Sequence, residues 1–165
     1  MATKNWRMLA IARPDPMMSF MWDITLTAPG INIKSEYFEE VTVPIPSFQV
    51  DYATDYTNIK KHYAKELDYG TISIKFYEDA KGTMLRELIA WRNRIKDKNG
   101  NWGCPADYQG TMELTPQGPD GVASFVVKYK KVFPTQISQI TFNGENDRIT
   151  YTVEFSLNYS EFTFS

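Results

Sequence analysis

One stretch of the chain is convincingly helical, and period-two runs flank it on both sides. In DAKGTMLRELIAWRNRIKDKNGN, starting at Asp79, the residues Met84, Leu88, Trp91 and Ile95 recur at spacings of four, three and four. That spacing puts them on one face of a helix, and Leu85 and Ile89 widen the stripe. Glu78 and Asp79 precede the first turn, and Arg92, Arg94, Lys96 and Lys98 crowd the last, as the helix dipole favours. Asn99-Gly100 is a natural stop. The sequence therefore predicts a helix over about residues 80–97. No second helix offers it a partner, so its apolar face must lie on a sheet.

The strands are read from alternation. MMSFMWDITLTA, Met17 to Ala28, ends at Pro29-Gly30. EYFEEVTV, Glu36 to Val43, is closed by Pro44-Ile45-Pro46, and Ser47 to Ala53 follows. GTISIKFYED alternates Ile72, Ile74 and Phe76 with Ser73, Lys75 and Tyr77. TMEL (Thr111 to Leu114), SFVVKYKKV and RITYTVEFSLNY, Arg148 to Tyr159, complete the set, with NGEND as a turn before the last. NIKKHYAKELDY is ambiguous. Ile59, Tyr63, Glu66 and Leu67 suit a helix, Ile59, Lys61 and Tyr63 a strand; a short strand followed by a loop is the favoured reading. With about eight strands around one helix, the expected fold class is α+β, mainly β: two packed antiparallel sheets or a partly closed β-barrel carrying the helix. Without internal repeats or linkers, residues 1–165 read as a single domain.

Phe133-Pro134-Thr135 interrupts the best strands. Proline gives the ladder no donor, so the strand is expected to end there. Phe133 would anchor in the core while Thr135 starts a new direction, a corner carrying the chain from one sheet to the other.

Chemistry is sparse. His62 and Cys104 are the sole histidine and cysteine, which excludes a zinc site within the chain and leaves no nucleophile setting around GCPAD. The expectation is no enzyme, no catalytic residue, no metal and no cofactor, with His62 on the surface and Cys104 partly buried. A single cysteine allows no internal disulfide and suits a reducing cytoplasm. The apolar run Met8 to Ala12 is too short to span a membrane and lacks a cleavage region after it, so the chain is expected to be soluble and unprocessed. A net charge of −2 argues against gripping nucleic acid through the whole surface, while permitting a chain that encloses it.

The order ARPDPMMSFMWDITL, PSFQVDYATDYTNIKKHYA, DYGTISIKFYEDAKGTMLRELIAWRNRI and KKVFPTQISQITFNGENDRITYTVEFSLNYSEF resembles the tail tube proteins of contractile-tailed phages. The resemblance runs from about Arg13 to Phe162, through Tyr77-Glu78-Asp79, Trp91, Phe133-Pro134-Thr135 and the turn Asn143 to Asp147. It is looser over Asn101 to Gly121. It implies the tail-tube fold, shared with tubes of type VI secretion systems and phage-derived bacteriocins. It further implies hexameric rings stacked into a hollow tube in the virion tail. The protein would be made in the host cytoplasm, and DNA would pass through the bore unbound. The partners implied are other copies of the chain, a tail sheath protein, and baseplate, tube initiator and terminator proteins. A tube initiator, or the tube of a type VI or bacteriocin-type system, is the alternative role. Within that resemblance, Tyr52 to Tyr69 is expected to form a loop reaching a neighbouring ring, with Tyr56, Lys60, Lys61, His62 and Tyr63 as contacts.

Overall fold

The structure is a computed structural model that describes residues 22–33, 35–118, 121–123, 125–140 and 149–164. The expected turn Asn143 to Asp147, the run Met8 to Ala12 and the start of the first expected strand lie outside the described residues. Among the described residues ten strands are seen: β1 (Trp22–Ala28), β2 (Ile31–Asn32), β3 (Phe38–Thr42), β4 (Ser47–Thr54), β5 (Lys60–Asp68), β6 (Thr71–Tyr77), β7 (Gly110–Pro116), β8 (Phe125–Ile137), β9 (Thr150–Ser156) and β10 (Tyr159–Phe164). The helix is α1 (Thr83–Ile95); a one-turn helix, α2 (Pro105–Tyr108), and a 3-10 turn at Ser35–Tyr37 are short additions.

Eight strands form one antiparallel sheet in the order β2-β1-β7-β8-β9-β6-β3, with β10 also paired to β8. Strands β4 and β5 form a separate two-stranded sheet. Among the described residues the fold is thus mostly β with two antiparallel sheets, and no barrel closes. Alternation sets the core: Ile24 and Leu26 on β1, Ile72, Ile74 and Phe76 on β6, Met112 and Leu114 on β7, and Tyr151, Val153 and Phe155 on β9 are buried in one cluster. Met84, Leu88 and Trp91 of α1 join it, with Trp91 tilted on Phe155 at 5.7 Å between ring centroids. Ile95, the fourth residue of the expected stripe, is only half-buried at the last turn.

Strand β8 runs through Pro134 without ending, contrary to the expected break. Its last pair with β7 is Gly110↔Val132, so at Pro134 the strand has a neighbour, β9, on one side only. Proline is tolerated in such an edge-like position. A bend does occur, upstream at Lys131, which adopts φ 58° and is the extra residue between the pairs Thr111↔Lys130 and Gly110↔Val132. This bulge shifts the parity, so that Val127 and Tyr129 before it and Val132 and Pro134 after it all point inward. The anchors also differ from expectation. Pro134 is buried, whereas Phe133 is half-buried, edge-on to Tyr108 at 5.6 Å. Thr135 is exposed and donates its hydroxyl to the Glu154 carbonyl at 3.0 Å. The flanking strands stay side by side: β8 pairs β9 through Phe133↔Ser156 and β10 through Lys130↔Tyr159. The expected last strand, Arg148 to Tyr159, ends earlier, at Ser156, and after Leu157-Asn158, opposite the bulge, an unexpected strand β10 follows it.

Helix α1 starts after Gly82, which makes no side-chain cap. Its orphan N–H groups are met from upstream. Glu78 accepts from the Met84 and Leu85 amides at 3.0 and 2.7 Å, and Asp79 from the Thr83 amide at 2.9 Å. Tyr151 donates to Glu78 and Tyr37 to Asp79, tying the helix start to β9 and to the turn before β3. The Thr83 amide and hydroxyl hold the Asp79 carboxyl well below its ordinary 3.8. A lowered folded-state pKa contributes stability that is present above the unfolded pKa and lost as pH falls toward the folded one. Asp79→Asn is therefore expected to be less stable than the parent at pH 7, the gap shrinking progressively below about pH 4. Urea midpoints from pH 7 to pH 2 measure this, and a gap independent of pH would contradict it.

Candidate assembly surface

Lys60–Asp68 is a nine-residue strand, so the region expected as a short strand and loop is instead the second arm of a β-hairpin. Strands β4 and β5 pair as Phe48↔Leu67, Val50↔Ala64 and Tyr52↔His62, with one irregularity between Phe48 and Val50. Side chains alternate across the ribbon, so Phe48, Val50, Tyr52, His62, Ala64 and Leu67 share a face. The opposite face is charged and carries the Asp51–Lys65 pair at 3.7 Å.

No residue of β5 is buried, and of β4 only Asp51 is even partly so. Phe48 is 65% exposed, Val50 67% and Leu67 41%. An isolated two-stranded ribbon is marginal in water, and a continuous apolar face on one marks a contact surface. The hairpin is nevertheless locally ordered. At its tip Asp55 accepts from the Thr57 amide at 2.9 Å, the Thr57 hydroxyl at 2.5 Å and the Ile59 amide at 3.1 Å, and meets Lys61 Nζ at 3.2 Å. The Thr57 hydroxyl is the chief cause of a lowered Asp55 pKa. At its base Gly70, with φ 71°, lets Pro44 approach to where a side chain would stand, 2.7 Å from a Cβ. A turn set in advance lowers the ordering cost of docking.

Of the residues singled out from sequence, the structure gathers Tyr56, Lys60, Lys61, His62 and Tyr63 on this hairpin. Tyr56 is almost wholly exposed at the tip, Lys60 Nζ lies 4.7 Å from the centre of the Tyr52 ring, and His62 faces Tyr52 across the strands. Phe133, Pro134 and Thr135 lie elsewhere, beside the last turn of α1 in a cleft with Arg92, Ile95, Lys96 and Asp97. Cys104 is exposed rather than partly buried. Sequence reading missed that the apolar set of Phe48, Val50 and Leu67 is exposed. Their alternation signals a buried face without saying whether the chain's own core or another molecule buries it.

No group of three or more His, Cys, Asp or Glu that could hold a metal occurs among the described residues. No described helix is long and apolar enough to cross a membrane.

No curated protein matches the sequence. In solved structures, the fold is similar to a chain of the PVC sheath-tube complex, an extracellular contractile injection system in its extended state. The TM-score is 0.68 at 14% identity, covering 99% of this chain and all of that one. A chain of the PVC sheath/tube terminator gives 0.70 at 13% identity over 92% of this chain and 99% of that one. The tube-terminating cap of the anti-feeding prophage gives 0.68 at 12% identity over 93% and 95%. The family model described as phage tail tube protein matches residues 35–165, which include the hairpin, the helix and every strand from β3 onward. The chain belongs to the phage tail tube protein family.

Proposed function

We propose that this chain is the major tube subunit of a contractile tail, a single domain over residues 1–165 that forms hexameric rings stacked into a hollow tube. The observation that carries the reading is the amphipathic β4–β5 hairpin: an ordered apolar ribbon that none of the other described residues covers, in a member of the phage tail tube protein family. A second copy in the next ring would cover it. The open edges of the large sheet would likewise pair within a ring, which removes the exposed edges such a sheet otherwise presents. The tube would sit in the virion tail after synthesis in the host cytoplasm. A sheath would enclose it, with a baseplate or initiator at one end and a terminator at the other.

The sheet's polar faces support a conduit. Lys75, Lys128 and Lys130 lie 3.4, 3.2 and 3.5 Å from Glu39, Glu113 and Glu161 on adjoining strands. Lysines neutralised in this way make a poor grip for phosphates, so a wall built from such a face would let DNA slide.

A specific observation favours one other reading. Two of the similar solved structures come from an extracellular contractile injection system, so a tube of that kind fits the fold equally well. Electron microscopy of the purified chain with its baseplate tests the main proposal. Stacked rings in many copies per particle are expected; persistent monomers would refute a tube, and one ring per particle would make the chain an initiator.

A further inference from the structure

The β4–β5 ribbon leaves the body of the subunit and returns to it at one place. Strands β3 and β6 last pair at Thr42↔Ser73, and β4 and β5 first pair at Ser47↔Asp68. Between these two pairs no ladder joins the stems. One stem is Val43-Pro44-Ile45-Pro46, where two residues have no N–H to donate. The other is Tyr69-Gly70, with Gly70 at φ 71°. Val43 and Tyr69 still pack against the core, the Tyr69 ring lying 6.1 Å from that of Tyr159. Beyond them contact with the body fades. Ile45 is 80% exposed, and neither β4 nor β5 packs extensively on any other described element.

The ribbon itself is stiff. It is paired from Ser47↔Asp68 to Thr54↔Lys60, tied across by Asp51 and Lys65, and closed at the tip by the bonds to Asp55. The joint is built differently. Proline restricts its own φ and the residue before it, so Pro44-Ile45-Pro46 makes a short extended link. Gly70 supplies backbone freedom on the other stem. A few residues at element ends that absorb the change in φ and ψ are what a hinge requires. Room to move is present in a cleft of about 590 Å³. Gln49, Leu67 and Asp68 of the ribbon line it, facing Ser156, Leu157 and Asn158 of the body.

We propose that β4–β5 is a rigid arm that pivots at Pro44-Ile45-Pro46 and Gly70, and that a neighbouring copy fixes its angle. The second half rests on the tube reading. Arm and body each keep their internal bonds as the angle changes, so the ordering cost of assembly is confined to the joint. The arm's apolar face meets no opposing surface among the described residues that would hold it at one angle.

The test is pulsed electron spin resonance on spin-labelled whole chain. Cys104, the sole cysteine, is exposed on the body and takes one label, and Tyr56→Cys supplies the other at the tip. In a Cys104→Ser background, Ser47→Cys with Tyr56→Cys spans the arm alone. In the unassembled chain the tip-to-body distribution is expected to be several-fold broader than the arm's own. Labelled chains diluted into parent tubes should show it narrowed to the arm's width. A Cβ at residue 70 would stand 2.7 Å from that of Pro44, so Gly70→Ala should shift the tip-to-body distances and leave the arm's unchanged. Equal widths in the unassembled chain overturn the inference, because the arm is then fixed. Two broad distributions also overturn it, because the ribbon is then melting rather than pivoting. A tip-to-body distribution as broad in tubes as in the free chain overturns the role given to the neighbouring copy. Absence of tubes from the parent chain would instead refute the tube reading, while the distances in the unassembled chain still decide the hinge.

Discussion

Replacing Trp91 with alanine should destabilise the unassembled subunit by about 3–5 kcal/mol. Trp91 is fully buried, tilted on Phe155 at the centre of the shared core, and its indole N–H donates to the Tyr108 carbonyl at 2.6 Å. Alanine would leave a cavity under α1 and strip that carbonyl of its donor, so a transfer loss and an unsatisfied polar group add. Trp91→Phe separates the two. It keeps most of the ring packing and loses the hydrogen bond, an effect of roughly 1 kcal/mol. Urea unfolding of both variants measures the difference. An alanine variant within about 1 kcal/mol of the parent would show that the helix is not keyed into the sheet through this side chain.

Trp91 was legible in the sequence because the spacing from Met84 to Ile95 fits a helix and no strand. The strands around the core were legible for the same reason, since Ile72, Ile74 and Phe76, or Tyr151, Val153 and Phe155, alternate with polar residues and bury one face. Three features were not legible, each for its own reason. Strand β5 shows no inward face because none of its residues reaches the core, so KKHYAKELD offers periodicity nothing to detect. Strand β8 survives Pro134 because β7 has already left it, a fact about tertiary neighbours that no local rule contains. The bend at Lys131 is written in a positive φ on a residue type that gives no warning of it. The helix start falls between these cases. Glu78 and Asp79 were expected to favour the dipole from nearby; they act by direct hydrogen bonds across the turn, Glu78 reaching seven residues ahead to Leu85.

If the hairpin joins copies of the chain, folding and assembly are separable, and Val50→Asp tests this. Val50 is 67% exposed in the subunit, so the substitution places a carboxylate in water and should change the stability of the unassembled chain by no more than about 0.5 kcal/mol. In a tube the same position would be covered by a neighbouring copy. A carboxylate there must be buried without a partner or left protonated, at a cost of several kcal/mol per contact. Because every subunit repeats the contact, the penalty recurs along the whole assembly, and stacked tubes should be lost while the monomer keeps its unfolding midpoint. Asp51→Asn is the matched control, since it alters the opposite face and breaks only the exposed pair with Lys65. Thermal unfolding together with electron microscopy reads both properties. If Val50→Asp chains build tubes as the parent does, the apolar face of β4–β5 is not what joins the rings. If instead the monomer unfolds early, the ribbon is supporting its own subunit, and its exposure is no sign of a missing partner.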